Sequence, residues 1–320
     1  MHPALSVILF TTLSGAGYGL LVWTALAALY ARPGDAGGLL ACALTGQVLA
    51  TVGLLSSMLH LGKPGRAWRA FSQWRTSWLS REGVMAMATY IPAVLLAGLA
   101  WLEWLDPESV VFRSTGPTVA VLVISLTIIA CALATVVCTA MIYASLKPIP
   151  AWRHRLVVPV YLVFALLGGL ALLAAILSVA GTLPVPRAGA TALALLALLA
   201  AALKLGYWHA LDRAALPANR GDAVGLPGRA VSVFERPHTE ASYITREMAF
   251  VVARRHARRL RALALLLITG VPLLAVYLPM HAGMQASWGW AAAAAAILAG
   301  SFVERWLFFA QARHMVTLYY

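Results

Sequence analysis

Charge is scarce in this sequence, and acidic charge is the scarcer kind. Only 11% of the 320 residues are charged, and 24 Lys and Arg stand against 11 Asp and Glu, which gives a formal net charge of +13. Hydrophobic residues make up 62% of the chain, more than a water-soluble core could bury. The composition therefore excludes an ordinary soluble protein and predicts one that crosses a membrane several times.

Cysteine is also scarce, and its spacing suits no metal site. Cys42, Cys131 and Cys138 lie inside long apolar segments, without a CxxC motif or a Cys/His cluster, which favours buried thiols with no metal or disulfide role. The eight histidines lie in loops or at segment ends, so none of them forms the mid-membrane pair that a transmembrane b-haem requires. We expect no haem or metal in this chain.

Long apolar runs are what the sequence has in quantity. Each of eight runs can cross a hydrocarbon core of about 30 Å, because a helix rises about 1.5 Å per residue. They lack the alternation of a membrane β-barrel. The prediction is an all-α polytopic membrane protein, a bundle of eight transmembrane helices in a single integral membrane domain, 1–320. The segments lie near 4–30, 39–60, 83–102, 117–143, 157–180, 188–208, 262–280 and 287–310.

Lysine and arginine gather in alternate connections, those after segments two, four and six. By the positive-inside rule we expect these connections and both chain ends to be cytoplasmic. The longest connection, 209–261, is predicted to be a basic cytoplasmic loop. Topology alone accounts for its cluster at 254–261, and anionic lipid headgroups suit the same residues. The basic balance therefore needs no nucleic acid.

The connection between segments two and three has an unusual mixture of residues. The stretch "SMLHLGKPGRAWRAFSQWRTSWLSREGVMA", residues 57–86, intersperses cations with aromatic side chains. Such a mixture suits either anchoring in the membrane interface or contact with a protein partner, and composition favours neither. The candidate docking residues are Lys63, Arg66, Arg69, Trp74, Arg75 and Trp78.

A histidine and a carboxylate close this connection at its two ends. His60 ends segment two and Glu82 precedes segment three, so both lie at similar depth at one face of the membrane. Glu82 could serve only as a helix-dipole partner or as a mate for Arg81, and His60 could simply be solvated. Alternatively, a partly desolvated carboxyl and an imidazole could exchange protons with a bound molecule.

Three stretches resemble the membrane anchor subunits of the dimethyl sulfoxide reductase type, within the complex iron–sulfur molybdoenzymes. They are "HPALSVILFTTLSGAGYGLL", "SMLHLGKPGRAWRAFSQWRTSWLSREG" and "YITREMAFVVARRHARRLR". The resemblance implies eight helices, no metal cofactor in the anchor, and two partners: an iron–sulfur subunit and a molybdopterin catalytic subunit. It also implies a quinone, ubiquinone or menaquinone, bound near His60 and Glu82. The resemblance also gives a role to the cations between segments two and three, since they could attract an acidic face of a partner subunit.

The sequence of an anchor subunit does not identify the substrate of its complex. The whole length, especially "FERPHTEASYITREM" in the sixth connection, looks closer to sulfite dehydrogenase anchors. We therefore expect electrons to pass from sulfite to quinone. The alternatives are an anchor that oxidises menaquinol for dimethyl sulfoxide reduction, a purely structural anchor, and a secondary transporter. A transporter usually has ionisable residues near the membrane midplane, whereas the charges here are expected only at segment ends.

Overall fold

Eight long helices dominate the fold. The computed structural model describes residues 4–32, 34–59, 62–106, 111–113, 116–181, 187–214, 216–235, 256–282 and 287–319. Within these ranges, eight helices are long and apolar enough to cross a membrane, which confirms the predicted helical bundle. The spanning helices are α1 Leu5–Ala28, α2 Ala36–Met58, α3 Trp78–Leu105, α4 Val119–Ala144, α5 Val157–Ala180, α6 Arg187–Arg213, α8 Ala257–His281 and α9 Ser287–Ala310.

The remaining elements are short. Two-residue strands β1, Phe112–Arg113, and β2, Gly116–Pro117, pair in antiparallel fashion between α3 and α4. A 3₁₀ helix, Pro64–Phe71, lies between α2 and α3. The single-turn helix α7, Arg220–Ala223, follows α6, and a last 3₁₀ turn covers Met315–Leu318.

Several helices extend beyond the apolar runs that predict them. Helix α3 begins at Trp78 and not near 83, so Glu82 lies inside its second turn. Helix α6 continues to Arg213, and α8 begins at Ala257, so both extend into the connection predicted at 209–261. Polar residues can continue a helix past the apolar core, and a hydropathy window cannot detect such turns.

Helix α1 lies at the centre and joins two groups of helices. It packs against α2 and α4 in the first group, α1–α4, and against α5 and α9 in the second group, which consists of α5, α6, α8 and α9. A continuous apolar core runs through the first group into α5 and α9, and another fills the second group. The two groups therefore share one interior along α1 and α5.

Glycine brings α1 close to its neighbours. A Cβ atom added to Gly17 would lie 2.6 Å from the backbone nitrogen of Ala50 in α2. On another face of α1, a Cβ atom on Gly19 would overlap the carbonyl oxygen of Ala165 in α5, and one on Gly169 would overlap the Gly19 backbone. Small residues permit this close helix contact in lipid, where packing replaces the hydrophobic driving force.

The connections at one end of the bundle are tied together. The backbone N–H of Met315 donates to the carbonyl of Pro148 at 2.9 Å. The indole of Trp152 donates to the carbonyl of Phe308 at 3.1 Å. These bonds join the segment after α4 to the end of α9. The connection between α2 and α3, which we call the 63–77 loop, lies at the same end of the bundle. That end therefore has a defined structure.

Candidate functional site

The carboxyl group of Glu82 is buried at this face of the bundle. Its side chain is 3% exposed, and the hydroxyl of Thr139, in α4, donates a short hydrogen bond to its Oε1 atom. The first turns of α3 thus place a carboxyl group against the last turns of α4. A carboxyl in this position can exchange a proton only with a group that reaches into the bundle.

Thr139 can serve either protonation state of Glu82. Its hydroxyl lies within hydrogen-bond distance of Glu82 and also 3.0 Å from the carbonyl of Thr135. A hydroxyl has one proton to donate and two lone pairs that accept. Thr139 can therefore donate to an ionised Glu82, or donate to Thr135 while a protonated Glu82 donates back to it.

Arg81 does not neutralise Glu82. Its Nε and Nη2 atoms donate to the loop carbonyls of Trp74 and Arg75, at 3.0 and 2.6 Å. Its guanidinium also lies 4.2 Å from the ring centroid of Trp78. Among the described residues, no Lys or Arg side chain lies within ion-pair distance of Glu82. The interpretation of Glu82 as the mate of Arg81 is therefore wrong.

The 63–77 loop folds onto the first turns of α3. Ser80 donates to the carbonyl of Ala70 and accepts a bond of 3.1 Å from the backbone N–H of Gln73. The ring of Phe71 packs over Gly83, where an added Cβ atom would lie 3.2 Å from the ring. The loop and Glu82 are therefore fixed to the same two turns of helix.

The predicted docking residues lie on the outside of this loop. Trp68 and Trp74 are 66% and 53% exposed, whereas Trp78 is partly buried beneath Arg81. Arginines lie over both exposed rings, Arg69 at 5.7 Å from the Trp68 centroid and Arg75 at 5.5 Å from that of Trp74. The exposed cations of the loop are Lys63, Arg66, Arg69 and Arg75.

His60 lies outside the described residues, so its predicted position beside Glu82 stays a prediction. The nearest described residue before it, Leu59, is 80% exposed at the end of α2. Most of the 254–261 cluster is described from His256 onward. Of the features predicted at this face, the structure places Glu82 and the 63–77 loop on the same first turns of α3.

Sequence reasoning missed a second buried charged group, which we call the ionic cluster: Lys204, Glu304 and Arg305. The ammonium of Lys204 in α6 lies 2.5 Å from Glu304 Oε1 in α9, and Arg305 Nη1 lies 3.3 Å from Glu304 Oε2. All three side chains are at most 3% exposed. The expectation of charges only at segment ends is therefore wrong. The signal was present, since ionisable residues inside apolar runs mark functional candidates.

Aromatic rings surround the ionic cluster. The guanidinium of Arg305 lies 3.6 Å from the centroid of Tyr161, and the ammonium of Lys204 lies 4.2 Å from that of Tyr207. Cations attract the faces of such rings, most strongly where water is excluded. The rings thus replace part of the hydration that these cations lose on burial.

A pocket opens at the surface beyond Tyr207, between the segment after α4 and the ends of α6 and α9. Arg261 makes a bidentate contact with Asp212 at its edge, at 2.6 and 2.9 Å. His154 also lines it. Burial, and then the neighbouring Arg155, lower the pKa of His154 below its ordinary value. Its Nδ1 accepts a hydrogen bond of 3.2 Å from the backbone of Leu156, which requires that nitrogen to be unprotonated.

Metal ligands do not gather in the described part of the chain: no group of three or more His, Cys, Asp or Glu lies close enough to hold an ion. The expectation of a chain without metal or haem remains a prediction.

Comparison with known proteins identifies the family. The family model described as "DMSO reductase anchor subunit (DmsC)" matches residues 1–311. A relative from Allochromatium vinosum, named as a subunit of sulfite dehydrogenase, is 36% identical over 326 aligned residues, which cover 100% of this chain and 99% of the relative. Both matches extend over all eight spanning helices. This chain belongs to the family of DMSO reductase anchor subunits.

Proposed function

We propose that this anchor subunit binds a quinone beside Glu82 and passes to it the electrons that partner subunits take from sulfite. The quinone is ubiquinone or menaquinone, and the partners are an iron–sulfur subunit and a molybdopterin catalytic subunit. The name of the relative, a sulfite dehydrogenase subunit, favours sulfite as the electron source. The buried carboxyl of Glu82 is the observation on which the quinone site rests.

Quinone reduction consumes two electrons and two protons, and Glu82 suits the second requirement. An ionised carboxylate in an apolar interior is costly without a cation, and Glu82 has a hydroxyl partner in place of one. Glu82 can therefore carry a proton and give it to a reduced quinone oxygen within about 2.6–3.2 Å. His60 is proposed to bind the headgroup from the end of α2.

Electrons must reach this quinone from a partner, and the 63–77 loop offers the nearest described surface. Its four exposed cations can attract an acidic face of the iron–sulfur subunit, and its exposed tryptophans can pack against it. Because Ser80 and Arg81 hold the loop on α3, docking there sets the distance between the partner and Glu82. The same composition would also suit the membrane interface, and substitution of the loop cations distinguishes the two roles.

Glu82→Gln tests the quinone site. Glutamine keeps the shape and accepts the bond from Thr139, but it cannot ionise. We expect an assembled complex with sulfite-dependent quinone reduction slowed by about 100-fold, within the range for lost proton transfer. The catalytic subunits should keep their activity with a soluble electron acceptor.

Glu103→Gln is the matched control. Glu103 is another buried glutamate of α3, about 30 Å along the helix, where it accepts a bond from the backbone of Val111. Its substitution should leave quinone turnover unchanged. Normal turnover in Glu82→Gln contradicts the proposed site. A complex that reduces dimethyl sulfoxide with menaquinol and ignores sulfite contradicts the proposed electron source.

His60→Ala tests the other proposed contact. It should raise the quinone concentration needed for half-maximal rate as well as slow turnover, because a hydrogen-bond donor to the headgroup is lost. Unchanged kinetics would show that His60 does not contribute to the quinone site, and the proposed site would then rest on Glu82 alone.

Docking is tested by replacing Lys63, Arg66, Arg69 and Arg75 together with Gln. The iron–sulfur subunit should then leave the membrane at lower salt than in the wild type, because screening weakens exposed charge pairs. The control replaces exposed cations of the next basic connection, Lys147, Arg153 and Arg155, and should retain the partner. Full retention in the first variant contradicts docking and favours interfacial anchoring.

The proposed orientation places this face of the bundle in the cytoplasm of a bacterium with the anchor in its inner membrane. Single cysteines introduced at Ser72 and Thr76, both exposed in the loop, should react only with a reagent that crosses the membrane. A cysteine at exposed Asp106, which follows α3 at the opposite end, should react with an impermeant one. The reverse pattern contradicts a cytoplasmic catalytic pair.

A further inference from the structure

Helices α6 and α8 separate towards the end of the bundle that carries the 63–77 loop, and an open groove lies between them. Helix α6 packs against the middle of α8, at Leu266–Gly270, whereas the first turns of α8, Ala257–Leu265, pack on α9 and make few contacts with α6. The groove has a volume of about 650 Å³, within the usual range of small-molecule sites, about 300–1,000 Å³. Its walls are Leu205, Gly206, Trp208, His209 and Asp212 of α6, and Arg258, Arg261, Ala262 and Leu265 of α8.

The groove opens towards the membrane. Helices α6 and α8 have the smallest buried share of the eight spanning helices, so most of their surface faces outward. On the groove itself, Leu205 is 54% exposed, and Gly206 and Ala262 are exposed as well. An outward apolar surface on a spanning helix meets lipid acyl chains.

The groove is apolar at its inner end and polar at its outer end. Along α6, Leu205 lies two turns, about 10 Å, deeper in the membrane than Asp212. Along α8, Leu265 lies equally far below Arg258. A phospholipid has the same order of chemistry, with a charged or polar headgroup at the surface and acyl chains below it. A soluble anion would use only the outer end.

The outer end of the groove carries net positive charge. Arg261 is paired with Asp212, whereas no carboxylate among the described residues lies within ion-pair distance of Arg258. His209 is exposed on the opposite wall and has a ring N–H to donate. A guanidinium and a further N–H donor suit a phosphate group, which accepts charge-assisted hydrogen bonds.

The position of Arg258 is also unfavourable for its own helix. Acidic side chains stabilise the first turn of a helix and basic ones the last, because of the helix dipole. The first turn of α8 contains no acidic residue, and the side chain of its N-cap residue, His256, makes no capping bond. Arg258 and Arg259 lie there instead. Such a conflict between sequence and local structure is expected at functional sites, and a bound anion removes it.

We propose that this groove binds one anionic phospholipid, with its phosphate on Arg258 and His209 and an acyl chain along Gly206 and Ala262. The lipid fills the space that α6 and α8 leave between them and holds the first turns of α8 to the bundle. It also covers the ring of Trp208, whose centroid lies 4.9 Å from the ammonium of Lys204, and so adds a cover over the ionic cluster. This inference does not depend on the quinone site.

Lipid binding is tested on the purified complex by native mass spectrometry. The complex is stripped of lipid with detergent and titrated with phosphatidylglycerol or with phosphatidylcholine of the same acyl chains. We expect one site that prefers phosphatidylglycerol. Arg258→Gln should weaken binding of phosphatidylglycerol at this site about fivefold, the factor that corresponds to about 1 kcal/mol for one basic residue at an anionic surface. Binding of phosphatidylcholine should not change.

Two matched controls accompany this variant. Arg259→Gln removes the same charge from an exposed position of the same turn, but Arg259 does not line the groove, so the preferred site should remain. Ala262→Leu fills the apolar end of the groove and should weaken binding of both lipids. Ala202→Leu, at an exposed position of α6 outside the groove, should have no effect.

Four outcomes overturn the proposal. Equal weakening by Arg258→Gln and Arg259→Gln would assign the attraction to the basic surface as a whole. Equal affinity of the wild type for the two lipids would exclude recognition of an anionic headgroup. Displacement of phosphatidylglycerol by inorganic phosphate would indicate a site for a free anion. A disulfide between a cysteine at Gly206 and one introduced in the connection 236–255 would show that the chain itself fills the groove.

Discussion

Two buried carboxylates, Glu82 and Glu304, have opposite surroundings. Glu304 lies between two cations, Lys204 at 2.5 Å and Arg305 at 3.3 Å. Glu82 has the hydroxyl of Thr139 and, among the described residues, no cation within ion-pair distance. Both side chains are at most 3% exposed, so burial alone does not distinguish them. Their partners do.

The difference separates a fixed charge from an exchangeable proton. A buried ion pair keeps its charges because each offsets the desolvation of the other, and removing one partner leaves an uncompensated charge. A lone buried carboxyl has no such reason to stay ionised. The second helix group therefore contains an ionic network that holds α6 against α9, whereas the first contains a group that can change its charge during a reaction.

Glu304→Gln should produce the largest effect. It leaves Lys204 and Arg305 buried together without a carboxylate, at a cost of about 3–5 kcal/mol. We expect the amount of folded subunit in the membrane, measured by immunoblot and by size-exclusion chromatography in detergent, to fall severely. The equivalent substitution Glu82→Gln should leave that amount nearly unchanged.

The double variant Lys204→Met and Glu304→Gln checks the cause. Removing both partners of a buried pair is often close to neutral, so part of the lost folded subunit should return. If Glu82→Gln is instead the more damaging of the two single substitutions, the distinction between the carboxylates fails.

Thr139→Val should have an intermediate effect. It deletes the hydroxyl that bonds to the buried carboxyl of Glu82 while keeping the side-chain shape, which costs about 1–3 kcal/mol. Thr139→Ser keeps the hydroxyl and should preserve most of the stability. Thermal denaturation of the purified complex in detergent measures both. Equal stability of the two variants would mean that Glu82 does not depend on this hydroxyl.

The smallest effect concerns pH and the surface pocket. The pKa of His154 is lowered in the folded protein from its ordinary 6.5, so the unfolded chain binds a proton first as the pH falls. Its contribution to stability is complete above about pH 6.5 and declines as the pH falls towards the folded-state pKa. His154→Asn, which keeps an acceptor for the Leu156 N–H, should reduce this decline between melting curves at about pH 7.5 and about pH 5.5.

His314 provides an internal comparison for that measurement. Its pKa is also lowered by burial, and its Nδ1 accepts a bond of 3.0 Å from Val316. The decline that remains in His154→Asn should therefore decrease further in the double variant with His314→Asn. A decline that neither variant changes would assign the pH dependence to other groups.

Hydropathy predicts the eight helices well because lipid forces the backbone to satisfy its own hydrogen bonds within apolar segments. It misses the polar turns at Trp78, Arg213 and Ala257, where protein contacts continue the helix. It also misses Lys204 and Glu304, since averaging over an apolar window hides a single charge. Their mutual contact needs the packing of α6 on α9, which no local pattern contains.

The candidate site is predictable only in part. The spacing of cations and aromatics marks the 63–77 loop, and the position of Glu82 marks it as a membrane-edge carboxylate. Its burial against Thr139 could not be inferred, because residues 57 apart meet only after α3 and α4 pack. The bonds of Arg81 to loop carbonyls likewise depend on the folded loop.

The glycine face of α1 also has a consequence for the order in which the helices assemble in the membrane. Helix α1 is synthesised before α5, yet Gly19 packs closely against Ala165 and Gly169 of α5, which follow it by more than a hundred residues. Until α5 is inserted, this glycine face of α1 therefore remains unpaired in the membrane. A bulky residue in place of Gly19 should leave membrane insertion intact but prevent the later packing of the first helix group against the second. The unpacked subunit would then be exposed to quality-control proteolysis.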